Sequence, residues 1–143
     1  MKDQTFLRVG ISMIFVDTNI ISYYLNSNQN VVDNFLRLFD RGIKLCTTVI
    51  SIYELYKGLR WKTNKKSEKE LEILLEYFSV YSFTKESISI ASNIYADLRR
   101  KGITVQDADI LIAAVVIANN GILVTNNTKH FKNIDHLKIE NWV

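Results

Sequence analysis

The run Ile110-Leu111-Ile112-Ala113-Ala114-Val115-Val116-Ile117-Ala118 carries no polar face. A helix built from it is apolar on every side, and such a helix persists in water only when other elements enclose it. Nine residues fall well short of the ~20 that a membrane span requires. The segment therefore demands a layered domain with one helix buried near its middle, and no membrane association is expected. Short apolar, β-favouring runs at 12–16, 44–49, 80–83, 122–125 and 137–142 supply the layer it packs on. Between them the apolar spacing turns helical. It does so at 19–25, then at 31–40 with Val32, Phe35, Leu36 and Phe39 on one face, and again at 65–78, 85–100 and 128–131. Strands alternating with helices predict an α/β fold, a three-layer α/β/α sandwich around a central, mostly parallel sheet.

With 143 residues the chain is sized for a single domain. Residues 1–12 show no clear periodicity, and Met13 opens the first strand, so 1–12 reads as an extension with Met13 near the natural start. Arg8 interrupts the early apolar residues and Asp3 sits where a secretory leader carries positive charge, which argues against a signal peptide. The one cysteine, Cys46, has no partner for an intramolecular disulfide and fits a reducing cytoplasm as a buried core residue. A net charge of +3 permits a polyanionic partner without demanding one.

Chemistry is expected where acids meet strand ends. Asp17 closes the run Ile14-Phe15-Val16, and a carboxylate at the end of a buried strand is costly unless something there uses it. The carboxyl edge of a parallel sheet is where ligands usually sit. Asp107 and Asp109 fall at the cap and first turn of the apolar helix, where backbone N–H groups and the helix dipole favour negative charge. Asp107 alone is adequately explained as an N-cap. Asp109 continues a face through Ile112, Ala113 and Val116 and so points along a buried surface. Ser51 has the spacing of a helix cap with Glu54 completing a capping box. Glu54 lies opposite the stripe of Ile52, Leu55, Tyr56 and Leu59, so periodicity leaves it solvated or in that box.

Five segments in order resemble the PIN-domain endoribonucleases, and among them the VapC-type toxins of toxin–antitoxin pairs. They are Phe15-Val16-Asp17-Thr18-Asn19, Ser51-Ile52-Tyr53-Glu54-Leu55-Tyr56-Lys57-Gly58, Asp107-Ala108-Asp109-Ile110-Leu111-Ile112-Ala113-Ala114, Leu123-Val124-Thr125-Asn126-Asn127-Thr128-Lys129-His130-Phe131, and Leu137-Lys138-Ile139-Glu140-Asn141-Trp142. The resemblance implies that Asp17 and Asp109 hold a divalent metal, Mg²⁺ or Mn²⁺, and that Glu54 reaches it directly or through water. Asn19, Asp107, Thr125 and Asn127 become supporting residues. The family's fourth acid has no counterpart in Thr125-Asn126-Asn127, which weakens a second metal site and leaves Thr125 and Asn127 to orient water or substrate. The resemblance further implies an RNA substrate, a small antitoxin partner and a homodimer.

Clustered carboxylates suit hard, oxygen-seeking cations that keep part of their water shell. One cysteine and two separated histidines make no zinc set. The basic residues Lys57, Arg60, Lys62, Lys65, Lys66 and Lys69, with Arg99-Arg100-Lys101, are either solvated helix faces or phosphate contacts. His130 is expected to be structural, and Tyr23, Tyr24, Tyr53 and Tyr56 to pack in the core or a dimer. A housekeeping RNA-processing nuclease and a catalytically silent PIN domain that binds RNA or protein are the competing functions.

Overall fold

A computed structural model describes residues 13–143. The expected extension 1–12, and Ser12 of the first strand, lie outside the described residues. The sheet has five strands: β1 (Ile14–Val16), β2 (Leu45–Thr48), β3 (Phe78–Tyr81), β4 (Ile122–Val124) and β5 (Lys138–Glu140). Their order is β3-β2-β1-β4-β5 and every pairing is parallel. Among the described residues seven helices accompany them: α1 (Thr18–Leu25), α2 (Gln29–Asp40), α3 (Val49–Trp61), α4 (Lys65–Leu75), α5 (Lys85–Arg100), α6 (Asp107–Ala118) and α7 (Thr128–Phe131).

Period-two alternation sends the strand residues into two cores. Ile14, Val16, Leu45, Ile122 and Val124 face α1 to α4, where Val31, Phe35, Leu55 and Leu71 meet them. Phe15, Cys46 and Leu123 face the other way, toward α5, α6 and α7. A sheet covered on both faces requires near-continuous apolar strands, as these are. The apolar helix is α6, with Ile112 through Val116 fully buried. Gly121 enters β4 under the ring of Phe15: a Cβ there would stand 2.6 Å from Phe15 Cδ1, so no side chain fits without displacing the ring.

Several local expectations are corrected. α3 is capped by Thr48, whose hydroxyl oxygen accepts from the Ser51 N–H at 3.1 Å, so Ser51 is three residues inside the helix and no Ser51–Glu54 capping box forms. The buried stripe of α2 is Val31, Phe35 and Leu38, while Leu36 is exposed. The helix expected to reach residue 78 stops at Leu75, because Phe78 is needed in the sheet: it pairs with Leu45, and its ring packs against Phe35 at 5.9 Å. Its strand thus begins two residues before the expected 80–83. Asp107 is not the cap of α6; Gln106 occupies that position without a side-chain bond, and Asp107 is an exposed first-turn residue. Among the described residues no helix is long and apolar enough to cross a membrane.

Candidate active site

The strand order itself fixes where a site can form. From β1 the chain moves outward through β2 to β3, then returns through α5 and α6 to lay β4 on the opposite side of β1. Loops leaving β1 and β4 therefore diverge, opening a crevice at the carboxyl edge, the usual ligand position in parallel sheets. Asp17 follows β1 and Thr125 follows β4. A pocket of about 480 Å³ opens there, and Asp17, Glu54 and Asp109 all line it.

Asp17 is 3% exposed and caps α1. Its Oδ1 accepts from the Thr18 N–H at 2.8 Å and its Oδ2 from the Thr125 hydroxyl at 2.7 Å. Burial pushes its pKa up from 3.8 to about 6; these two hydrogen bonds oppose the rise, and the carboxylates of Asp109 and Glu54 add to it. Three acids thus share one enclosure at a cost in charge repulsion that a cation would relieve.

Glu54 comes from α3, half-buried. The Thr18 hydroxyl donates to its Oε1 at 3.0 Å, so Thr18 serves Asp17 through its backbone and Glu54 through its side chain. The helical wheel correctly turns Glu54 away from the core; what it cannot show is that α1 stands across from it. Asp109 reaches the pocket from the first turn of α6, its side chain 13% exposed. Its Oδ2 lies 3.0 Å from Nδ1 of His130 on α7. His130 therefore has a polar contact with the candidate acids, beyond the purely structural place expected of it.

The supporting residues divide. Thr125 is fully buried, orients Asp17, and accepts the Asn127 N–H at 3.0 Å. Asn127 and Asn19 line the pocket, and the Asn19 side-chain oxygen accepts from the Asn126 N–H at 3.3 Å. Asp107 is not among the lining residues. Tyr23, expected to pack in the core or a dimer, lines the pocket and accepts from the Asn126 side-chain amide at 3.0 Å. Its place four residues after Asn19 puts both on one helix face, a signal present in the sequence. Tyr24 does pack inside, stacked on Phe35 at 4.7 Å.

Basic and aromatic groups adjoin the site along α3. Lys57 lies over the exposed Tyr53 ring, and Arg60 over Tyr56 while pairing with Glu68 at 2.8 Å. A second groove, about 240 Å³, shares Thr18, Ser22, Asn26 and Glu54 with the first and extends to Lys62. Lys101, by contrast, is paired with Asp97. Among the described residues, no three His, Cys, Asp or Glu side chains are grouped closely enough to hold a metal ion by themselves.

Residues 14–137 match the family model of the PIN domain. The chain belongs to the PIN domain family. A relative, Ribonuclease VapC2 of Rickettsia felis, is 33% identical over 132 residues, covering 91% of this chain and 98% of that protein. Ribonuclease VapC1 of Methanocaldococcus jannaschii is 31% identical, covering 86% and 82% respectively. Among solved structures, this PIN domain is similar to a chain of VapBC2 from Rickettsia felis bound to a DNA fragment from its promoter. That match has a TM-score of 0.83 at 30% identity, covering 92% of this chain and 99% of the other. The three-layer expectation and the parallel sheet accordingly hold at the level of the whole fold.

Proposed function

We propose that this protein is a metal-dependent endoribonuclease, the toxin of a toxin–antitoxin pair, with Asp17, Glu54 and Asp109 as its catalytic carboxylates. The observation that carries the proposal is their convergence: three elements distant in sequence deliver three acids to one crevice at the β1–β4 switch point. Relatives named as VapC ribonucleases, and a neighbour solved as the VapBC2 complex, support an RNA substrate and a protein antitoxin.

The donor set fits a hard divalent cation, Mg²⁺ or Mn²⁺. All three side chains offer carboxylate oxygen, and the charges of Asp109 and Glu54 bearing on Asp17 favour a cation, of a kind that takes oxygen ligands and retains several waters. Asp17 and Asp109 would hold it, with Glu54 reaching it directly or through water. When bound, such an ion neutralises charge on a phosphodiester and makes water a better nucleophile. The chain's own residues do the rest. Thr125 and the Thr18 N–H hold Asp17 in one orientation, and the Thr18 hydroxyl holds Glu54. Asn19 and Asn127 offer amides to substrate or water. Lys62 brings positive charge to the adjoining groove, where a polyanion needs it. Assembly as a homodimer and action in the cytoplasm belong to the same reading.

Asn127, standing where many PIN domains carry a fourth acid, favours one alternative, a silent domain that binds RNA or protein. Induced expression in a bacterial host separates the two. The toxin reading predicts growth arrest by the wild type, relief by Asp17→Asn, and relief by co-expressing a short frame lying beside the gene. Arrest that persists in Asp17→Asn, or no arrest from soluble wild type, favours the binding module.

A further inference from the structure

We propose that His130 is the positioning residue for Asp109, fixing that carboxylate for metal binding through its Nδ1–H; this rests on the metal-dependent reading above. Each candidate acid has its own holder. Asp17 is held by the Thr18 N–H and the Thr125 hydroxyl, and Glu54 by the Thr18 hydroxyl. The Asp109 carboxylate has one side-chain partner among the described residues, His130, at 3.0 Å. An ionised carboxylate only accepts, so Nδ1 carries the hydrogen in this contact. One Asp109 oxygen is thereby occupied and the other left for the pocket.

The His130 side chain is 52% exposed, but the backbone that carries it is firmly anchored. Phe131, the next residue, is 1% exposed and sits in the same core as Ile112 and Ala113 of α6, the helix that carries Asp109. The His130 N–H also donates to the Asn127 carbonyl at 2.9 Å, tying α7 to the end of the β4 loop. Donor and acceptor are thus anchored to one packed unit. Partners that orient a metal-binding carboxylate or imidazole typically matter roughly 10- to 100-fold in metal affinity or activity.

The test is Mn²⁺ binding to purified protein, followed by electron paramagnetic resonance, beside kcat and KM for RNA cleavage. Asparagine places an amide N–H near the Nδ1 position, whereas glutamine places one near Nε2. The expected result is a Mn²⁺ affinity weakened roughly 10- to 100-fold in His130→Ala and largely regained in His130→Asn but not in His130→Gln. KM for RNA should change little at saturating Mn²⁺. Unchanged affinity in soluble, folded His130→Ala overturns the proposal and leaves the nuclease reading standing. Rescue by glutamine but not asparagine also overturns it, since the working atom would then be Nε2. Wild-type protein that binds no Mn²⁺ overturns the metal reading and this proposal together.

Discussion

Asp17→Asn should make the metal-free protein more stable while abolishing its activity. Asp17 is buried, and its pKa rises from 3.8 to about 6. The folded state therefore holds a proton that the unfolded state releases between those values. Stability in that window falls as pH rises, and above the folded pKa the full cost is present. A shift of about two units, at about 1.4 kcal/mol each, amounts to roughly 3 kcal/mol. Asparagine keeps the cap: its side-chain oxygen can accept the Thr18 N–H, and its amide can face the Thr125 hydroxyl oxygen. The variant should thus gain about 2–3 kcal/mol at pH 7.5, with some of the ceiling lost to a weaker bond at Thr125. Urea unfolding in EDTA, run for both proteins from pH 4 to pH 8, isolates the effect as a difference curve in which the acids remote from Asp17 cancel. That curve should rise from near zero at pH 4 and level off above pH 6. Parallel stabilities across the range, or a variant less stable at pH 7.5, would refute the idea that Asp17 is a strained, ionised carboxylate awaiting a cation.

Thr18→Val removes the hydroxyl that holds Glu54 but keeps the backbone N–H on Asp17, so cleavage should fall about tenfold while the unfolding free energy from urea titration changes by less than about 1 kcal/mol. Gly121→Ala drives a Cβ to 2.6 Å from the Phe15 ring, and unfolding should show a loss of about 1–3 kcal/mol. Lys62→Glu reverses charge at the far end of the second groove; RNA binding measured against salt should weaken and show a shallower salt slope, with kcat little altered.

Much of this arrangement is legible in the sequence because it follows from local periodicity. The helices Lys85–Arg100 and Thr128–Phe131 begin and end where their spacing predicts, and the unbroken apolar run of α6 places it at the centre. Asp17 declares itself by being charged at the end of an apolar strand. Other features depend on what lies opposite. Glu54 is unremarkable on its own helix and becomes a candidate site residue because Thr18 faces it and it lines the pocket. His130 meets Asp109 across 21 residues through the packing of α7 on α6, which no periodicity reports. Phe78 suits either a helix or a strand by its neighbours, and pairing with Leu45 decides it. At the start of α3 the cap is Thr48 rather than the expected Ser51, while Thr47 donates to the Val16 carbonyl at 3.1 Å. In the sequence, only the family resemblance marks Glu54 as a candidate acid, because periodicity places it on a solvated face.

The most direct test of the three-carboxylate site is sequencing the RNA ends made by purified protein with Mn²⁺ and with EDTA, beside Asp17→Asn. The account predicts new internal ends from the wild type with Mn²⁺, and none from EDTA-treated protein or the variant. The same internal ends appearing in EDTA, or undiminished in Asp17→Asn, would contradict it.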